Sequence, residues 1–170
     1  MSTPRSIPTL LVALLLAIVA TPALEARKSD RDQPMNVESD ASSGSLDDDG
    51  SLLLTGNVRI TQGSLTIEAA KATVQQRGGE MERIVLEGSP VRMNQLNDRG
   101  EPISSQAERV TYTPGDEIVL LSGNASVTQP RGVLRAQTIR YNMDTGNIDS
   151  GGDGGRVNMT IQPKARAAAN

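Results

Sequence analysis

A chain of 170 residues with no cysteine and no histidine cannot rest on disulfides or run Ser-His-Asp or Cys-His catalysis, and it lacks the usual ligands of zinc, copper and haem. Its net charge of −3 gives no basic footprint, and its two aromatic residues, Tyr112 and Tyr141, give no stacking platform, so nucleic-acid binding is excluded as a class. What remains is an aliphatic stock of Leu, Val, Ile, Met and Ala, which builds a core with flexible walls rather than shaped aromatic ones.

The N-terminus reads as an export signal. Arg5 supplies a positive n-region, Leu10 to Ala20 is an unbroken apolar run, and small residues follow at Ala23 and Ala26. A membrane-spanning helix needs about 20 apolar residues, more than this run offers. Residues 1–26 are therefore expected to be a cleaved signal peptide, with the cut left open between Ala23 and Ala26. Residues 27–162 are expected to form one exported domain. Residues 163–170 begin with a proline and lack an apolar face, so a disordered tail is expected there.

Beyond the charged stretch 27–33 the pattern is strand after strand. Leu52, Leu54, Val58 and Ile60 share one parity with Gly56 in register, while Thr55, Asn57, Arg59 and Thr61 take the other face. Period two is a half-buried strand. The same alternation recurs at Met35/Val37, Leu65/Ile67, Ile84/Leu86 and Val91/Met93. It continues at Val110/Tyr112, Val119/Leu121, Val127, Ile139/Tyr141 and Val157/Met159/Ile161. Turn signals separate the strands at Gln62-Gly63, Gly78-Gly79, Asn97 to Gly100, Pro114 to Asp116, Pro130 to Gly132 and Asp144 to Gly146. Short strands with turns every ten or so residues predict a sandwich, jelly roll or barrel.

Two internal repeats alternate along the chain. Leu54-Thr55-Gly56-Asn57-Val58 is echoed by Leu121-Ser122-Gly123-Asn124-Ala125, with a weaker copy at Leu86-Glu87-Gly88-Ser89-Pro90-Val91. The three glycines lie 32 and then 35 residues apart. An alanine-led pattern recurs at Ala69–Val74, Ala107–Tyr112 and Ala136–Tyr141. A period in the thirties built only of short strands means stacked layers, since one layer cannot bury its inner face alone. A stack leaves an open edge at each end, where unpaired backbone groups invite strand addition.

Candidate chemistry is thin. Asp47-Asp48-Asp49-Gly50 lacks the alternate-ligand spacing of a calcium loop and reads as a solvated turn. Gly151-Gly152-Asp153-Gly154-Gly155 lacks the Gly-Lys-Ser/Thr of a phosphate-binding loop, opens a strand instead of a helix, and gives no nucleotide site. No carboxylate pair is singled out for hydrolysis, and the chain is read as not an enzyme, with neither cofactor nor metal. The Gly-Asn pairs at 56 and 123 read as corners or bulges of a curved sheet. The inward aliphatic face is either a closed core or an apolar groove, and composition does not separate the two.

Four motifs carry a resemblance. Asp32-Gln33-Pro34-Met35-Asn36-Val37-Glu38-Ser39-Asp40 is similar to the DQPI-x-I-E-S-D opening of the LptA/OstA-like family of lipopolysaccharide-transport proteins. Thr55 to Gly63 resembles its TGNV-x-V-TQG, Ile67 to Lys71 its I-x-ADK, and Leu121 to Ala125 its second LTGNA. The likeness runs from about Asp32 to Ile161. Ala70 stands where the family has Asp, Ser122 where it has Thr, and Met93 where an aromatic is common.

The resemblance implies a twisted antiparallel β jelly roll with a V-shaped cross-section, an apolar interior and two open ends, and element spacing suggests about 14–16 strands. It implies a periplasmic carrier that shelters the lipid A acyl chains of lipopolysaccharide. Such carriers pair with LptC at the N-terminal edge and with LptD or another copy at the C-terminal edge. Met35, Val37, Met93 and Tyr112 match family positions that line or contact lipid. Val58, Ile60, Leu65, Ile67, Val91, Val110 and Leu121 join the expected groove by alternation alone. The expected edges are Met35, Val37 and Ser39 at one end, and Val157, Met159 and Ile161 at the other. Other readings stay open: an LptC-like or LptD N-terminal-type component of the same pathway, or a structural periplasmic β-filament protein without lipid cargo.

Overall fold

The computed structural model describes residues 30, 33–143, 145, 147–151 and 155–163. The expected signal peptide, residues 164–170 of the expected tail and the centre of the Gly-rich loop at 152–154 lie outside the described residues.

The alternating segments form ten strands of one antiparallel sheet. They are β1 (Met35–Glu38), β2 (Ala41–Gly44), β3 (Ser51–Gln62), β4 (Leu65–Arg77), β5 (Glu80–Leu96), β6 (Pro102–Thr113), β7 (Ile118–Gln129), β8 (Gly132–Asn142), β9 (Ile148–Ser150) and β10 (Asn158–Ile161). The order is β1-β3-β4-β5-β6-β7-β8-β10, with β2 also on β3 and β9 also on β8. Each turn predicted from Gly, Pro or Asn within the described residues closes a hairpin. At three of them the reason is φ: Gly63, Gly78, Gly79 and Gly100 all sit at positive φ.

One line of irregularities crosses the whole sheet. The register shifts between Thr55 and Val58, Glu68 and Lys71, Glu87 and Val91, Gln106 and Arg109, and Ser122 and Ala125. These breaks lie side by side on neighbouring strands, so they form a crease. The two sequence repeats are this crease. The Gly-Asn copies bend β3 and β7, and the alanine-led copies cross it on β4, β6 and β8. At the bends Gly56, Asn57, Gly123 and Asn124 all have positive φ. An acid from the neighbouring segment closes each one. Asn57 Nδ2 donates to Asp40 Oδ2 at 2.9 Å, and Asn124 Nδ2 donates to Glu108 Oε1 at 2.6 Å.

The crease divides the sheet into two halves. In the first, a transverse row runs Leu54–Ala72–Leu86–Val110–Leu121–Ile139, paired strand to strand and buried throughout. In the second, a row runs Val37–Ile60–Ile67–Met93–Ser105–Val127–Leu134–Met159. Beside the crease the second half carries Val58, Val91, Ala107, Ala125 and Ala136, all buried, where small side chains let the halves approach. Buried residues of both halves share one apolar core. The described residues form ten strands, fewer than the 14–16 expected, because six long strands cross the crease unbroken where element spacing suggested shorter ones.

Candidate functional site

Away from the crease the two halves stop touching and leave a cleft of about 130 Å³. The first half gives it Ile84, Leu86, Val110, Tyr112, Val119, Leu121, Tyr141 and Met143. The second half gives it Met35, Ile60, Gln62, Leu65, Ile67, Met93, Gln95 and Ser105. No Asp, Glu, Lys or Arg is among them. Alternation explains most of this: Arg59, Glu68, Lys71, Glu87 and Arg92 all fall on the other parity, while Glu82 and Glu108 sit at register shifts. Arg59 and Glu68 pair across strands on the outer face at 3.6 Å, and Lys71 and Glu87 at 3.4 Å. Exposed pairs of this kind contribute little to stability, so they serve solubility more than cohesion.

Eight of the residues expected in a groove line this cleft: Met35, Ile60, Leu65, Ile67, Met93, Val110, Tyr112 and Leu121. Val58 and Val91 lie deeper, at the crease, with relative exposures of 1% and 0%. Val37 shares the transverse row of Ile60 but stands at the open edge, half exposed. Alternation missed Ile84, Leu86, Val119, Tyr141 and Met143 as cleft residues. The first four were legible as strand positions, but nothing in a period of two says how far from the crease each one lies.

A second apolar recess opens at the other end of the sheet, lined by Val127, Gln129, Gly132, Leu134, Ile148, Ser150 and Met159. The inward rows thus run from β1 to β10 and end in apolar side chains on both edges. Met35, Val37, Met159 and Ile161 are all exposed, the last two strongly. Ser39 sits at the break between β1 and β2, where its hydroxyl donates to the Ala41 carbonyl at 3.1 Å. Val157 lies one residue before β10. Among the described residues no cluster of acids could hold a metal ion.

The family model for the LptA/(LptD N-terminal domain) LPS transport protein matches residues 36–147. The chain belongs to this family. It is 33% identical over 155 residues to the lipopolysaccharide export system protein LptA of Escherichia coli K12, covering 89% of this chain and 82% of that protein. The LptA of Haemophilus influenzae is 32% identical, with coverage of 88% and 89%. The crystal structure of LptH, the LptA homologous periplasmic component of the lipopolysaccharide transport device of Pseudomonas aeruginosa, superposes with a TM-score of 0.71 at 25% identity. That likeness covers 79% of this chain and 99% of the LptH chain. As an LptA-family protein, the chain has the expected fold class: an all-β, creased antiparallel jelly roll with open edges.

Proposed function

We propose that this chain is a periplasmic carrier that shelters the acyl chains of lipopolysaccharide in its cleft and bridges the inner-membrane and outer-membrane assemblies of the export pathway. The observation that carries the reading is an uncharged apolar cleft whose walls run to both open ends of an LptA-family sheet. Each buried CH₂ is worth roughly 0.8 kcal/mol, so a twelve-carbon chain left in water costs on the order of 9 kcal/mol. An aliphatic trough removes that cost without chemistry. The driving force for transport is external, because the chain offers no nucleotide site.

The bridge follows from the edges. Eight strands lie on the main path, so β1 and β10 run in opposite directions. A second copy abutting β10 with its own β1 therefore continues an antiparallel ladder. Met159 and Val37 occupy the same inward row, so its apolar side continues too. On this reading β1 receives LptC, and β10 receives LptD or another copy. Replacing Val37 with proline breaks the edge strand and should abolish pairing with LptC while the fold persists. Pairing that survives this change refutes the edge assignment.

Site-specific photocrosslinking in intact cells tests the cargo. Met93 lies in the cleft and Arg92 on the outer face. Lipopolysaccharide adducts are expected at Met93 and not at Arg92. A folded, exported protein with no adduct at either position would favour a structural filament instead.

A further inference from the structure

The two lips of the cleft differ. The outermost inward row of the first half runs Leu52–Val74–Ile84–Tyr112–Val119–Tyr141–Ile148, aliphatic and aromatic throughout. The corresponding row of the second half carries a glutamine on every other strand. Gln62 of β3 pairs with Leu65, Gln95 of β5 with Ile103, and Gln129 of β7 with Gly132. All three are partly buried. Gln62 and Gln95 line the cleft, and Gln129 lines the recess at the β10 end. Alternate strands stand about 10 Å apart, so the three amides form a regular series along the mouth.

We propose that Gln62, Gln95 and Gln129 form a rail that hydrogen-bonds the ester and amide carbonyls joining acyl chains to a lipid headgroup. The inference rests on the carrier reading above and adds what the cargo must present at the mouth. An acyl chain cannot enter the trough without drawing its linkage carbonyl to the rim, where that carbonyl loses water. A carbonyl desolvated without a donor opposes entry. A carboxamide meets this need, because its NH₂ donates to a carbonyl and its oxygen accepts from a neighbouring hydroxyl. It does so without a net charge, whose burial would be costly and whose attraction to headgroup phosphates would favour one station over the next. Neutral stations at regular spacing let the cargo step from β3 towards β7. The Nε2 of Gln62 also donates to the Gln33 carbonyl at 3.0 Å, which orients the first station. The lip opposite carries no carboxamide, and its row is aliphatic apart from Tyr112 and Tyr141.

The test compares two ligands on the purified protein. Rough lipopolysaccharide carries the linkage carbonyls, whereas N-phenyl-1-naphthylamine is an apolar dye with none. The double variant Gln95→Met/Gln129→Met keeps side-chain length and removes both amides. It should bind lipopolysaccharide at least tenfold more weakly and the dye as well as before or better. Gln95→Glu should also weaken lipopolysaccharide binding, since it loses the donor and keeps the shape. Should the double variant melt early, the single Gln129→Met variant is read in its place, with a loss of about three- to tenfold expected. Unchanged or tighter lipopolysaccharide binding by folded methionine variants overturns the rail and leaves the carrier reading intact. A wild-type protein that takes the dye but no lipopolysaccharide overturns both.

Discussion

Replacing Gly123 with alanine tests whether the crease is what the repeats encode. Gly123 has φ of +81°, and an added Cβ would meet Glu108 at 2.5 Å from Oε2 and 2.8 Å from its Cβ. The backbone conformation alone costs an L-residue about 1–2 kcal/mol over glycine. Pushing Glu108 aside also loosens its bond from Asn124, worth roughly 1 kcal/mol at an exposed site. The sum is about 2–3 kcal/mol, or about 6–12 °C in melting temperature for a domain of this size. Two other glycines calibrate it. Gly78 has φ of +59° with nothing near its Cβ position, so Gly78→Ala should show the conformational cost alone. At Gly115 nothing lies within 4 Å either, so alanine there should be close to neutral. Thermal melts of the three variants should rank Gly123→Ala lowest, then Gly78→Ala, then Gly115→Ala. A Gly123→Ala protein that melts with Gly78→Ala would refute the claim that close packing by Glu108 holds the bend.

Truncating Leu86 to alanine, at 2% exposure in the core row, should cost about 2–5 kcal/mol in urea unfolding, with no gain of a separate transition for either half. Asn97 is the one buried polar side chain among the described residues, and its Oδ1 accepts from the backbone N–H of Arg99 and of Glu101, both at 2.9 Å. Asn97→Ala should therefore open the β5–β6 hairpin at a cost of about 1–3 kcal/mol, seen as faster amide exchange at 99–101. The Asn97 amide bonded to Glu101, followed by the nearby charge of Arg99, holds the Glu101 carboxyl below its ordinary range. A depressed carboxylate stabilises the fold in full above its unfolded value and loses that contribution as pH falls through its folded value. The hairpin should thus loosen only under acid, and Asn97→Ala should move the Glu101 titration, followed by NMR, upward. Finally, Met159→Lys/Ile161→Lys places charge on the β10 edge and should abolish end-to-end association in sedimentation without lowering the melting temperature.

The sequence was readable wherever one residue type had one physical reason to be there. Gly56-Asn57 and Gly123-Asn124 announced the bends, because the left-handed backbone there admits few other residues. The strands β3 and β7 were legible because each shows an apolar face of several turns of the pleat. Ala41-Ser42-Ser43-Gly44 was not legible as a strand. It forms β2 by pairing with Leu52–Thr55, an edge position that makes no demand for buried side chains. Likewise Ile148-Asp149-Ser150 forms β9 through its ladder to β8 alone. Gly88-Ser89-Pro90, read as part of a weaker copy of the Gly-Asn repeat, falls inside β5 although proline removes a ladder donor. In the molecule those residues fall on the crease, where the ladder is interrupted on every strand, so the missing N–H costs nothing there.

The same placement bears on how a cleft of about 130 Å³ can serve a lipid. A cavity near 150 Å³ admits one benzene, six carbons and no more. An acyl chain of twelve carbons is larger than this, so loading is expected to part the halves further. The crease is where parting is cheapest. Its ladders are already broken on every strand, its inward side chains include Ala107, Ala125 and Ala136, and rotation there slides small groups past one another. Opening exposes the aliphatic rows to water, and an acyl chain covers them again, so the cost of opening is offset only when cargo is present. Such a trough is expected to be narrow when empty and to widen with what it carries. A helical or disulfide-braced wall could not do this, and a chain without cysteine that bends each long strand at one aligned seam can.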